Sequence, residues 1–340
     1  GLENDIPRPG KMIILNSNEN AYGPSQKTLR AMAEAASGSN RYPDDTVRNF
    51  KTKLGRFWKV EQENIVMGAG SSEILGLVCL MMAIEKKGEI ITAEPSFNSW
   101  SRQAQIYGME IVRVPLDEQY QLDLKKMAAG ISGKTRLVYI CNPNNPTGSW
   151  LEHQKLRDFV LETSKTCMVL ADEAYTEFAG LPSLATDAMT NRNIIVAKTF
   201  SKVYGLAGAR VGYAISHPDT IKRIAGLQAW SDVSVSAVSV AAASAALDDQ
   251  EFVQACIRKT AASREHCYQC FRDAGLTWIP SSTSFILFDI AKIRGDFSTR
   301  MQEQNFYVQY RTHFGGKWCR VSIGTTEEMV QFCKTLKGMI

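Results

Sequence analysis

The hydrophobic rhythm of the chain changes twice, and those changes predict its architecture. The first forty residues carry no long period. Pro7, Pro9, Pro24 and the polar run Asn16 to Asn20 interrupt it, and only Gln26 to Ala36 shows helical spacing. From about Arg41, short β-rich runs alternate with helical segments. Glu89 to Thr92, Ile111 to Val114, Leu137 to Cys141, Met168 to Ala171, Asn193 to Ala197 and Arg210 to Ile215 read as strands; Ser71 to Ile84, Ser99 to Tyr107 and Glu152 to Lys165 read as helices between them. Parallel neighbours need a crossover, so this alternation predicts βαβ units and a mostly parallel sheet. After about Val240 the texture changes. Ala241 to Ala274 reads as one helix with little interruption, followed by strands near Ser284 to Asp289, Tyr307 to Arg311 and Trp318 to Ile323 and a closing helix from Glu327 to Lys337. The expectation is an α/β chain in three parts: an N-terminal arm over 1–40 that belongs to the smaller domain, a large domain over 41–245 with the mostly parallel sheet, and a smaller α+β domain over 246–340.

Composition narrows the function. With 44% hydrophobic and 22% charged residues the chain reads as an ordered globular protein. The net charge of +4 is spread along 340 residues with no basic block, so nucleic acid is not an expected partner. The most apolar runs, Leu77 to Ile84 and Val235 to Leu247, fall short of the roughly 18 to 20 residues that span a bilayer, so a membrane is not an expected partner either. Eight cysteines are too sparse for a disulfide scaffold and fit a reducing compartment, which makes the cytoplasm the expected location. The chain begins at Gly1, which reads as a trimmed N-terminus and leaves a removed leader open. Cys267-x-x-Cys270 lies inside a predicted helix without a second pair, so no metal site is expected. Of the four histidines, His153, His217, His266 and His313, only His313 falls near a candidate site.

Four segments carry candidate chemistry. Lys202 follows a predicted strand, where α/β proteins place ligands, with Thr199, Ser201 and Arg210 close by in sequence. A loop lysine is ordinarily just solvated, but hydroxyls and a guanidinium fork suit a phosphate. Asp172 ends another strand, where a buried carboxylate needs a partner; alone it could equally be a helix cap. Asn142 to Gly148 is a Pro- and Gly-fixed turn that presents amides. Gly68-Ala69-Gly70-Ser71-Ser72-Glu73 opens a helix whose free N–H groups and dipole favour an anion, although it lies one residue short of a capping box. Together an amine, a carboxylate, hydrogen-bond donors and a phosphate cup match the needs of pyridoxal phosphate.

Asn-Pro-Asn-Asn-Pro-Thr-Gly at 142–148, Asp-Glu-Ala-Tyr at 172–175, the run from Ser201 to Tyr213 and Arg-Val-Ser-Ile-Gly at 320–324 occur in this order across nearly the whole chain. In this combination the sequence resembles the fold-type I pyridoxal-phosphate aminotransferases, and among them the histidinol-phosphate aminotransferases. The resemblance implies an aspartate-aminotransferase-like fold with pyridoxal 5'-phosphate on the large domain, and a homodimer with shared active sites. It makes Lys202 the amine that holds the cofactor as an aldimine and then moves the proton. It pairs Asp172 with the pyridine nitrogen, places Asn145 and Tyr175 on the phenolate oxygen, and stacks Phe97 on the ring. Gly70, Ser71, Ser72, Thr199, Ser201 and Arg210 would hold the phosphate, with Tyr42 reaching the phosphate of the neighbouring subunit. Arg320, Arg311 and Tyr22 would bind substrate. The implied reaction is ping-pong transfer of an amino group from a small-molecule donor to a 2-oxo acid. Two departures stand out: Ala69 and Ser72 replace the family's usual amide and carboxylate, and Thr312-His313-Phe314 replaces the usual Pro-Phe after Arg311. They leave room for an aromatic amino-acid aminotransferase or a decarboxylase or lyase on the same scaffold. A non-catalytic regulator with this fold is the distant alternative.

Overall fold

A computed structural model describes residues 12–232 and 234–340; Pro7 and Pro9 of the expected arm lie outside them. Its strands are β1 (Ile13–Leu15), β2 (Ile65–Gly68), β3 (Glu89–Glu94), β4 (Glu110–Pro115), β5 (Thr135–Cys141), β6 (Met168–Asp172), β7 (Ile194–Thr199), β8 (Gly212–Ile215), β9 (Trp278–Ile279), β10 (Phe285–Asp289), β11 (Phe306–His313) and β12 (Gly316–Ser322). They form a large sheet in the order β2-β8-β7-β6-β5-β3-β4 and a small one in the order β1-β11-β12-β10-β9. In the large sheet β4, β3, β5, β6 and β7 run parallel, and β8 is antiparallel to both its neighbours. The mostly parallel α/β sheet is therefore as expected.

The central strands read as continuous apolar runs because helices cover both faces. Val138, Ile140, Val169, Ala171, Ile194 and Val196 join one buried cluster, while their chain neighbours Leu137, Tyr139, Met168, Leu170, Ile195 and Ala197 join another. This two-residue alternation leaves the strand ends as the place where polar side chains can gather. Register aligns those ends: Cys141 pairs with Asp172, and Asp172 with Ala197. The loops that follow β5, β6 and β7 carry Asn145, Tyr175 and Lys202 to one edge, the usual ligand edge of such sheets.

Three expectations need correction. Strands β1, β2 and β9, three, four and two residues long, were not anticipated, since such short runs carry no measurable period. β1 pairs parallel with β11, so the N-terminal segment joins the small sheet. The helix expected over Ala241 to Ala274 is two helices, Ala237–Asp248 and Gln250–Asp273. Asp249 breaks them with a non-helical backbone (φ −94°, ψ 57°), and its carboxylate accepts from Lys27 Nζ at 3.3 Å. Finally, Arg210 lies outside the strand expected from it. It takes a left-handed conformation (φ 55°, ψ 59°), and β8 starts only at Gly212.

Candidate active site

Asp172 closes β6 with a side chain only 3% exposed. Its Oδ2 accepts from the Tyr139 hydroxyl at 2.9 Å and its Oδ1 from the Ala174 N–H at 3.2 Å. Among the described residues no cation lies within ion-pair distance, and burial raises its pKa to about 6 even though the Tyr139 and Ala174 hydrogen bonds and Lys202 oppose that shift. A buried carboxylate in this state calls for a cationic N–H. Lys202, half-buried, sits in the loop after β7. Its Nζ donates to Ser17 O at 3.2 Å and lies 5.6 Å above the Tyr175 ring centroid. Burial, reinforced by the charge of Arg320, lowers its pKa to about 8, so a useful fraction of the amine is unprotonated near neutrality.

An anion cup forms where β8 and β7 meet the helix Ser71–Glu85. Gly70 is the N-cap and offers no side-chain cap, and neither Ser71 nor Ser72 uses its hydroxyl on another described residue. Glu73 turns back to accept from the Ala69 N–H, which explains why the capping-box spacing is off. At Gly70 (φ 80°) a Cβ would collide with the Arg210 guanidinium, so only glycine lets the two approach. Arg210 donates through Nη1 to Ser201 Oγ at 3.3 Å and to Ala207 O at 2.9 Å, and Thr199 Oγ1 donates to Ser201 Oγ at 2.9 Å. A left-handed arginine is costly, by about 1 kcal/mol or more, and such strain clusters at functional sites. Uncapped first-turn N–H groups, hydroxyls and a guanidinium fit a phosphate ester.

The small sheet supplies the opposing cations. Arg320 on β12 donates through Nη1 to Asn145 Oδ1 at 2.6 Å and through Nη2 to Asn16 O at 2.7 Å, while its Nε is buried without a partner. The Asn145 carbonyl is thus engaged, which leaves its amide N–H groups as donors. Tyr175, whose pKa burial pushes up, accepts from Asn18 Nδ2 at 3.0 Å. Among the described residues Lys202, Arg210, Arg311 and Arg320 all lack a carboxylate partner within 4.0 Å, although other lysines and arginines of the chain have one.

One cleft of about 620 Å³ brings together Ser71, Ser72, Phe97, Asn145, Asp172, Tyr175, Thr199, Ser201, Lys202, Arg210, Arg311 and Arg320. Gly70 stands beside it through Arg210. Two expected residues are not in its lining. Tyr42 is 73% exposed with its ring against Trp230 at 4.6 Å, and Tyr22 lies under Lys259 Nζ at 4.8 Å with its hydroxyl buried and unpartnered. Sequence reasoning missed Tyr139, Asn16 and Asn18 as site residues. Tyr139 was detectable: two residues before Cys141 on β5, it must share the face of the residue paired with Asp172. The donor set fits the cofactor that the resemblance implies, with an amine, a buried carboxylate and a phosphate cup within one cleft.

The family model for aminotransferase class I and II matches residues 10–336. A histidinol-phosphate aminotransferase of Akkermansia muciniphila is 34% identical over 334 residues, covering 98% of this chain and 91% of that protein. Among solved structures, the histidinol-phosphate aminotransferase of Sinorhizobium meliloti in complex with pyridoxal-5'-phosphate superposes with a TM-score of 0.87 at 28% identity, covering 96% of this chain and 90% of that one. An aspartate aminotransferase of Thermus thermophilus with maleate shares the fold, with a TM-score of 0.83 at 21% identity over 97% of this chain and 92% of that one.

Proposed function

The chain belongs to the class I and II aminotransferases and is a pyridoxal-phosphate-dependent transaminase; from that premise we propose that its amino donor is histidinol phosphate and its acceptor a 2-oxo acid. The observation that carries the donor is the pair Arg311 and Arg320, two cations in the cleft that no described carboxylate neutralises. The 34% identical relative named above supports the same donor.

In this reading Ser71, Ser72, Thr199, Ser201 and Arg210 hold the cofactor phosphate, and Asp172 holds a proton on the ring nitrogen. Asn145 and Tyr175 would donate to the phenolate oxygen, Phe97 would cover the ring face, and Lys202 would anchor the aldehyde carbon. The cofactor, when bound, supplies an electron sink for the carbon that carries the donor's amino group. With the cofactor bound, Lys202 Nζ would be the base that takes the proton from that carbon and the acid that gives it back, a role suited to an amine with a pKa of about 8. Arg311 and Arg320 fix the donor's phosphate and, in the second half-reaction, the acceptor's carboxylates.

A second copy of the chain completes the site in this proposal. Tyr42 and Trp230, both exposed and in contact, are the aromatic pair expected to face it, with Tyr42 directed to the partner's phosphate cup. A cytoplasmic location belongs to the same proposal and is supported by eight buried free thiols. Among the described residues no helix is long and apolar enough to cross a membrane.

The test is a donor panel with 2-oxoglutarate as acceptor: histidinol phosphate, phenylalanine, tyrosine and phosphothreonine. The highest kcat/KM is expected for histidinol phosphate. A higher value for an aromatic amino acid, or carbon dioxide release from phosphothreonine as the main reaction, overturns the donor assignment.

A further inference from the structure

Resting on the reading of the donor as a phosphate ester, we propose that His313 is a specificity-determining residue that donates an N–H hydrogen bond to the donor's phosphate, as a third anion contact beside Arg311 and Arg320. The β-ladder supplies the placement. Arg311 pairs with Trp318, and His313 with Gly316. With the two-residue period of a strand, Arg311, His313, Trp318 and Arg320 therefore share one face of the hairpin. The residue across from His313 has no side chain, so nothing crowds the imidazole from the neighbouring strand. His313 lines the same cleft as the two arginines, is half-buried, and hydrogen-bonds through its ring to no described residue.

Ring contacts hold the hairpin tip beside His313. Phe314 (φ 52°) and Gly315 (φ 72°) turn the chain immediately after it. The Phe314 ring packs edge-on against Trp318 at 5.6 Å and against Tyr120 at 4.9 Å. Tyr120 belongs to the loop between β4 and β5, and its carbonyl accepts from Ser149 Oγ at 2.5 Å, so the tip is pinned to the large-sheet side of the cleft.

The chemistry of the ring suits the role. Burial, followed by the charges of Arg311 and Arg320, lowers the His313 pKa below the ordinary histidine value, so the imidazole is neutral at pH 7 with one nitrogen donating. A neutral donor adds a directed bond without placing a third like charge beside two guanidinium groups. A carboxylate has two oxygens, which one guanidinium fork engages; a phosphate monoester has a third oxygen for a further donor. His313 is thus placed to favour phosphate over carboxylate in a pocket whose arginines accept both.

The experiment uses holoenzyme of the wild type, His313→Phe, which keeps the ring and loses the N–H, and His313→Gln, which keeps an N–H. The ratio of kcat/KM for histidinol phosphate to that for histidinol, and the inhibition constant of inorganic phosphate against the donor, are measured for each. His313→Phe is expected to lower the ratio and weaken phosphate about tenfold, the size of one lost hydrogen bond to a charged group, with most of both recovered in His313→Gln. An unchanged ratio in His313→Phe, or an equal fall in both variants, overturns the proposal. Should the wild type reject histidinol phosphate yet accept another amino donor, the donor assignment fails on its own. The inorganic phosphate constants then decide His313: a tenfold rise in His313→Phe alone supports the contact, and equal constants overturn it.

Discussion

Arg320 Nη1 donates to Asn145 Oδ1 at 2.6 Å, tying the small sheet to the loop that follows β5 in the large one. The residue expected to read the donor is thereby joined to a residue expected to hold the cofactor ring. Arg311, on the adjacent strand, has no such link among the described residues, where its Nη1 donates to the neighbouring Tyr310 carbonyl at 3.4 Å. Arg320→Ala should therefore weaken both cofactor and donor, while Arg311→Ala weakens the donor and leaves cofactor affinity within about twofold. Losing the charged contact of the half-buried Arg320 costs roughly 2 to 5 kcal/mol, so the donor half-reaction should slow by about 30-fold or more in Arg320→Ala; Arg311 is exposed, and its loss should slow that step by less. Cofactor titration of the apoprotein and single-turnover rates separate the two effects. Equal cofactor loss in both variants contradicts the coupling.

Asp172 gives a pH-dependent expectation for protein freed of cofactor. Its folded pKa of about 6 lies above its ordinary 3.8, so the folded chain binds a proton between those values that the unfolded chain releases. The stabilisation from this group is present below about pH 4 and lost as pH rises through 6. Asn carries no such loss. Asp172→Asn should raise the unfolding free energy of the apoprotein at pH 8 by up to about 3 kcal/mol, and by little at pH 4. Urea unfolding at the two pH values measures it. The same variant should bind cofactor more weakly and slow deuterium exchange at the donor carbon, since an amide cannot hold the ring nitrogen protonated.

Tyr139→Phe removes the 2.9 Å hydrogen bond to Asp172 Oδ2 while keeping the ring packed against Trp100 at 4.8 Å. The Asp172 carboxylate then loses a donor and its proton affinity rises. Cofactor affinity should fall about tenfold, and the apoprotein should lose roughly 1 to 3 kcal/mol of stability at pH 8, where the buried carboxylate is left short of a donor. An unaltered dissociation constant would remove Tyr139 from the account.

How much of this was legible in the sequence differs from part to part. The parallel core could be read because β5, β6 and β7 are buried on both faces and therefore continuously apolar. The break at Asp249 could not, because one residue with non-helical φ/ψ hardly disturbs helical periodicity on either side. Lys202, Asp172 and Arg210 were found through their motifs, but the left-handed backbone that turns Arg210 towards Ser201 has no sequence signal outside glycine. Asn18 was hidden in the N-terminal arm. Its bond to Tyr175 and its N–H contact with Ser322 Oγ at 2.7 Å depend on chain segments more than 150 residues away. Tyr22 and Tyr42 matched family positions, yet the fold of a single chain keeps both out of the cleft lining.

Lys202→Ala should fold normally, since the cup and Asp172 are untouched, and lose turnover by about 10⁴-fold or more, because anchor and proton carrier go together. In the wild type the rate at which apoprotein captures cofactor should rise with pH, reach about half its maximum near pH 8, where half of the Lys202 amine is unprotonated, and level off about one unit higher. The variant should show no such rise. Circular dichroism checks the fold, and stopped-flow absorbance checks the rest.

The central claim is that this cleft takes an amino group from histidinol phosphate and passes it to a 2-oxo acid. It is tested most directly by mixing wild-type holoenzyme with histidinol phosphate alone and following the cofactor's visible absorption, then adding 2-oxoglutarate. The expected result is loss of the visible band in the first step at saturating donor and its return in the second. A band that histidinol phosphate leaves untouched, while another amino donor bleaches it, contradicts the claim.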